Sequence, residues 1–166
     1  MTKENKELWT EVVNKMIKKK LTISTMESCT GGGIANAITN IPGASSIIEE
    51  SYVTYSNDAK VKQGVRKQTI DKYSVYSEQT AISMAKALRR KTGSDIAIGV
   101  TGQLGRLDPK NKSNTLNTVW YAIIFNVDDV FCSMVKVSDD ERENQKEEVL
   151  LSIANSLNSI LNLKKK

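Results

Sequence analysis

Three short segments hold the side chains of this chain best suited to chemistry. "ESCTGGG", from Glu27 to Gly33, sets the hydroxyl of Ser28, the thiol of Cys29 and the hydroxyl of Thr30 against three glycines. "YSNDAK", from Tyr55 to Lys60, places hydroxyls beside a lysine, and "TGQLG", from Thr101 to Gly105, places one beside glycine. The chain contains no histidine. That excludes Ser-His-Asp and Cys-His catalysis and every histidine-ligated metal site. A nucleophile here must be activated by lysine, by a carboxylate, by a helix N-terminus or by a hard metal ion.

Lys60 is the one obvious activator. A free lysine has a pKa of about 10.4, so neutralising it at pH 7 costs about 4.6 kcal/mol. Burial lowers a lysine pKa by up to ~3–5 units, which covers that cost, so Ser–Lys chemistry is open in a desolvated pocket. On spacing alone Lys60 reads first as a solvated helix lysine. The glycine-rich turn can expose backbone N–H groups at a positive helix end and cradle a phosphate or an oxyanion. It equally reads as a tight turn that lets helix and strand pack closely. Cys29 has no histidine to activate it and reads as a packed thiol. No metal-ligand cluster is evident.

These segments need elements to position them. Leu8, Trp9, Val12, Val13, Met16 and Ile17 recur at helical spacing and predict an amphipathic helix over residues 4–19. Leu21, Ile23 and Thr25 alternate with polar residues and predict a strand. "IANAIT" predicts a short helix, "NIPGASS" a loop, "IEESYVTYS" a second strand, and "NDAKVKQG" a helical turn closed by Gly64. Ser77 is an N-cap for "EQTAISMAKALRRKTG", with Gly93 as its C-terminal glycine. "DIAIGVT" predicts a buried strand. "NTVWYAIIFN" and "VFCSMVKV" flank "VDD" as a hairpin. A last helix is expected from about Asp139 to Leu163, with Val149, Ile153, Leu157 and Ile160 or Leu161 in one stripe. Early alternation of helices and strands with a late hairpin predicts an α/β/α three-layer sandwich on a mixed, mostly parallel sheet. Ligands in such sheets bind beyond the carboxyl ends of the strands, where the three segments fall.

Bulk composition narrows the partners. The 166 residues, with 39% hydrophobic and 26% charged, suit one domain spanning 1–166 that buries a core without disulfide or metal staples. The net charge of +5 arises largely from lysine triplets at 18–20 and 164–166, both of which read as helix ends. With only 5% aromatic residues, stacking platforms are few, so nucleic acid is not the expected partner. No apolar run reaches the length of a membrane span, and "MTKENKELWT" lacks a signal-peptide core, so the expected location is the cytoplasm. The two cysteines fit a reducing compartment.

Taken together, "LTISTMESCTGGGIANAITNIPGASS", "YVTYSNDAKVKQGV", "SDIAIGVTG" and "NTVW" resemble the CinA C-terminal-domain family, the nicotinamide-mononucleotide deamidases. The similarity covers nearly the whole chain and implies the same sandwich fold. It implies hydrolysis of the carboxamide of nicotinamide mononucleotide to nicotinic acid mononucleotide and ammonia. No cofactor or metal is implied, and a homo-oligomer is expected. The resemblance assigns a Ser–Lys dyad to Ser45 and Lys60, fifteen residues apart, and the oxyanion hole to Ser28. It assigns supporting roles to Tyr55, Thr101 and Arg142, and substrate contacts to Thr30, Gly31, Gly32, Asn57 and Gly102. This chain departs from the family where "TGQLGRLDPKNKSN" replaces a loop of small residues, so that Arg106, Leu107 and Asp108 are new. It departs again at Lys146, where a second arginine is common. The altered 102–114 loop leaves two alternatives, a nucleotide-binding module of weakened turnover and a competence- or DNA-damage-associated protein.

Overall fold

The structure, a computed structural model, describes residues 1–111, 113–126 and 129–163. Helix α1 (Lys3–Lys19) buries Trp9, Val12, Val13 and Met16, the stripe its spacing predicts. Thr2 caps it by accepting from the Asn5 N–H, and Lys20 ends it in the left-handed region at φ 55°. Strand β1 (Ile23–Glu27) is buried throughout and leads through the glycine turn into α2 (Gly33–Thr39). A 3-10 turn at Ala44–Ser46 precedes β2 (Ile48–Val53), and α3 (Asn57–Lys62) follows, capped by Ser56. Helix α4 (Lys67–Tyr73) has no counterpart in the sequence reading. It buries only Ile70, and Arg66 at its N-cap makes no side-chain bond, so neither periodicity nor cap chemistry announces it. Helix α5 (Glu78–Thr92) runs from the Ser77 cap to Gly93 at φ 70° as expected.

Strands β3 (Ile96–Gln103), β4 (Thr118–Phe125) and β5 (Asp129–Lys136) and helix α6 (Arg142–Leu163) complete the chain. The central residues of the expected hairpin turn, Val127 and Asp128, lie outside the described residues, as does the lysine triplet at 164–166. The last helix begins three residues later than expected, after an exposed "DDE" stretch.

The sheet order is β2-β1-β3-β4-β5. β1 pairs in parallel with β2 and β3, whereas β4 is antiparallel to both β3 and β5. β4 alone runs against the others, which makes the sheet mixed. Helices α1, α2 and α6 cover one face around Trp9, Ile34, Ile98, Val119 and Ile153. Helices α4 and α5 cover the other around Met26, Ile70, Met84, Leu88 and Ala122. The outcome is a three-layer α/β/α sandwich. Gly99 sets the α5–sheet distance, since a Cβ there would lie 2.5 Å from the Ala81 carbonyl oxygen and 2.6 Å from the Ala85 nitrogen. Parallel pairing brings the carboxyl ends of β1, β2 and β3 together, and the segments after them share one end of the sheet. Among the described residues no helix is long and apolar enough to cross a membrane.

Candidate active site

Ser28 is the first residue past β1, and Lys60 rises toward it from the middle of α3. The Lys60 side chain is only 1% exposed. Its Nζ donates to the Thr54 carbonyl at 2.7 Å and lies 3.1 Å from Ser28 Oγ. Among the described residues Lys60 forms no ion pair. Burial disfavours its charged form and lowers its pKa to about 8, with a small opposing effect from the Cys29 thiol. Neutralising Lys60 at pH 7 then costs about 1.4 kcal/mol in place of the ~4.6 kcal/mol of a free lysine. With one amine hydrogen held by the Thr54 carbonyl, the lone pair of neutral Lys60 can face the Ser28 hydroxyl.

The glycine turn does something other than cradle an external anion. Glu27, 1% exposed, folds its carboxylate into the N-terminus of α2. Oε2 accepts from Thr30 Oγ1 at 2.7 Å, from the Ile34 N–H at 3.0 Å and from the Gly32 N–H at 3.2 Å. Oε1 accepts from the Ala35 N–H at 2.9 Å. The chain's own carboxylate therefore occupies the positive helix end. Gly31 and Gly32, at φ 63° and 94°, let the backbone wrap around it. Glu27 is a structural residue that the sequence reading missed, although a carboxylate directly before a glycine-rich helix start is a legible signal.

Ser28 and Lys60 line a cavity of about 950 Å³ together with Tyr55, Asn57, Gly102 and Arg142. Arg142, at the start of α6, donates through Nη2 to the Tyr55 hydroxyl at 2.7 Å and through Nη1 to the Leu104 carbonyl. Asn57 Nδ2 donates to Asn111 Oδ1 at 2.9 Å. Gly102 is glycine because a Cβ would lie 2.5 Å from the Thr118 carbonyl oxygen on β4. The cavity wall also holds Tyr76 and Asp108, which sequence reasoning did not nominate. The Tyr76 hydroxyl donates to Asp108 Oδ2 at 2.6 Å, as does Asn111 Nδ2 at 2.6 Å. Burial and this carboxylate raise the Tyr76 pKa, which keeps the phenol a donor.

The other nominated residues lie elsewhere. The expected pairing of Ser45 with Lys60 is not formed within the chain. Ser45 is exposed in the 3-10 turn before β2, at the amino end of that strand, whereas Lys60 lies past its carboxyl end. Six strand residues, about 20 Å, separate those ends. The serine that Lys60 meets is Ser28. Thr101 is fully buried and donates to the Val75 carbonyl at 2.8 Å, so it ties β3 to the segment before α5 and does not line the cavity. Thr30, Gly31 and Gly32 serve the Glu27 cap and also lie outside the lining. Cys29 lines the cavity but is buried, and desolvation pushes its thiol up to about 12, so it stays an unreactive thiol near neutral pH. Among the described residues no group of three His, Cys, Asp or Glu side chains is placed to hold a metal ion.

Comparison with known proteins agrees with this architecture. The family model for the CinA C-terminal domain matches residues 5–160. A putative competence-damage inducible protein of Clostridium novyi is 42% identical over 137 residues, which cover 81% of this chain and 33% of that protein. A CinA-like protein of Kosmotoga olearia is 48% identical over 95 residues, 57% of this chain and 23% of that protein. The chain thus spans a third or less of the length of these curated relatives. The solved structure of the competence/damage inducible protein CihA from Agrobacterium tumefaciens superposes with a TM-score of 0.87 at 29% identity, covering 98% of each chain. The competence damage-inducible protein A of Klebsiella pneumoniae superposes with a TM-score of 0.87 at 26% identity, over 97% of this chain and 99% of that one. The chain belongs to the CinA C-terminal domain family.

Proposed function

We propose that this member of the CinA family is an amidohydrolase that uses a Ser28–Lys60 dyad and takes nicotinamide mononucleotide as its substrate. The observation that carries the reading is a buried lysine, free of carboxylate partners among the described residues, 3.1 Å from a serine in a cavity of substrate size. Neutral Lys60 accepts the Ser28 proton as Oγ attacks the carboxamide carbon. Arg142, steadied by Tyr55, stabilises the oxyanion of the tetrahedral intermediate. The Lys60 ammonium returns its proton to the amide nitrogen, which leaves as ammonia and gives an ester on Ser28. Neutral Lys60 then deprotonates a water that attacks this ester. The acid is released, and the proton returns to Ser28. No step requires a metal ion.

The choice of nicotinamide mononucleotide rests on the family resemblance, and the cationic character of the cavity supports an anionic substrate. Four cationic side chains, Lys60, Arg106, Lys110 and Arg142, face two carboxylates, Asp58 and Asp108. The test is ammonia release from nicotinamide mononucleotide by the purified protein. Release that depends on Ser28 supports the dyad, and the absence of release sinks it. A second reading, a nucleotide-binding module without turnover, is favoured by the loop after β3, where Arg106, Leu107 and Asp108 stand in place of small residues. Binding without ammonia release supports that module. The relatives named for competence damage add a third outcome, salt-sensitive DNA binding with neither of the others.

A further inference from the structure

We infer that Arg106 and Lys110, on the loop between β3 and β4, form a phosphate-monoester subsite that selects phosphorylated over unphosphorylated substrates. The inference rests on the reading above that the substrate is a mononucleotide. Two of the four cations lining the cavity are already engaged. Lys60 is buried against Ser28 and Thr54, and Arg142 is held by Tyr55 and the Leu104 carbonyl. Arg106 and Lys110 are exposed, and among the described residues neither forms an ion pair.

Asp108 stands between them on the same loop, and its carboxylate is occupied. It accepts from the Tyr76 hydroxyl and Asn111 Nδ2, each at 2.6 Å, and from the Lys110 backbone N–H at 2.8 Å. Hydrogen bonds from Asn111 and Tyr76, with a lesser contribution from the Lys110 backbone N–H and charge, hold the Asp108 pKa below the usual carboxylate range, so it stays ionised with its hydrogen bonds made by neutral groups. The two cations flanking it are left for a ligand.

The loop is also held in place. The Asp108 N–H donates to Gln103 Oε1 at 2.9 Å, and the Gly105 N–H donates to Asn117 Oδ1 at 2.9 Å. Gly105 sits at φ 77°, which permits the turn between them. On the opposite wall Asn111 accepts from Asn57, three residues before Lys60. The cation-bearing segment is thus tied to the same short helix that carries the catalytic lysine, so its distance from the reacting carbonyl is fixed. A guanidinium offers a planar pair of donors that matches a phosphate, and an ammonium adds a second positive charge. Holding the loop backbone that carries both in advance lowers the ordering cost of binding. Asp108 acts as a positioning residue for this pair.

The experiment compares nicotinamide mononucleotide with nicotinamide riboside, which has the same carboxamide and no phosphate. Wild type should favour the mononucleotide by about 100-fold or more in kcat/KM, mainly through KM. The double variant Arg106→Ala/Lys110→Ala should lose about 30-fold or more on the mononucleotide, through KM, with riboside kinetics unchanged. Asp108→Ala should raise KM for the mononucleotide alone. A double variant that keeps wild-type discrimination, or that loses both substrates equally, overturns the subsite. If wild type hydrolyses neither compound, calorimetric binding of nicotinamide mononucleotide against the riboside decides. A phosphate-dependent affinity lost in the double variant retains the subsite while the amidohydrolase reading falls. Failure to bind the mononucleotide more tightly than the riboside overturns the subsite.

Discussion

Lys60→Met should remove a pH-dependent strain from the folded protein, and its size follows from the burial of the amine. The folded pKa is about 8 against an ordinary value of 10.5. Between these values the unfolded chain binds more protons at this position than the folded one, so the lysine's contribution to stability rises with pH through that window. Below pH 8 the full penalty of holding a buried ammonium applies. Linkage gives about 3 kcal/mol at pH 7.5, falling to about 1 kcal/mol at pH 10. The methionine variant has no such group. It does leave the Thr54 carbonyl without its donor, but that loss is nearly independent of pH. Urea unfolding of both proteins from pH 7.5 to 10 therefore reads Lys60 as a difference. The stability of wild type relative to the variant should rise by about 2 kcal/mol across this range. A difference that stays level within about 0.5 kcal/mol would mean that Lys60 ionises as an ordinary exposed lysine, and the argument for a poised base would fail.

Further consequences can be checked separately. The pH profile of kcat/KM should climb about tenfold per unit below an apparent pKa near 8 and level off above it, as the base form of Lys60 accumulates; a profile flat between pH 6 and 8 would contradict a lysine base. Lys60→Arg should retain less than about a tenth of wild-type kcat, because guanidinium does not deprotonate, and near-normal turnover in a steady-state assay would refute the role. Glu27→Gln should lower stability by about 1.5–3 kcal/mol in urea titrations, since the α2 cap loses charge-assisted bonds. Gly99→Ala should cost about 1–3 kcal/mol or more by the same measurement, because its Cβ meets the α5 backbone. Chelators should leave ammonia release unchanged.

Much of the fold could be read from sequence because the informative elements are long and their pattern is repeated. The Trp9–Met16 stripe, the Ser77 cap with Gly93, and the apolar run at Ile96–Val100 each state one structure several times over. Helix α4 could not be read, since a seven-residue helix with one buried side chain repeats nothing. The site was legible as segments and not as pairings. Three hydroxyl-bearing turns after three strands pointed to the end of the sheet where the cavity lies, and Lys60, singled out from sequence, lies buried there. Which serine it meets depends on parallel pairing of β1 with β2, which carries Ser28 and Lys60 to one end and Ser45 to the other. Residue spacing along the chain holds no such information. The Tyr76–Asp108–Asn111 network depends likewise on a 32-residue separation between Tyr76 and Asp108 closed only by the folded loop.

The central claim is that Ser28 is the hydroxyl activated by Lys60, and ammonia release from nicotinamide mononucleotide by Ser28→Ala and Ser45→Ala tests it most directly. Ser28→Ala should fall by about 10³-fold or more, the loss expected when a nucleophile is removed and only binding and oxyanion stabilisation remain. Ser45→Ala, at the opposite end of the sheet, should keep near wild-type turnover with an unchanged unfolding midpoint. An active Ser28→Ala protein beside an inactive, folded Ser45→Ala protein would contradict the account.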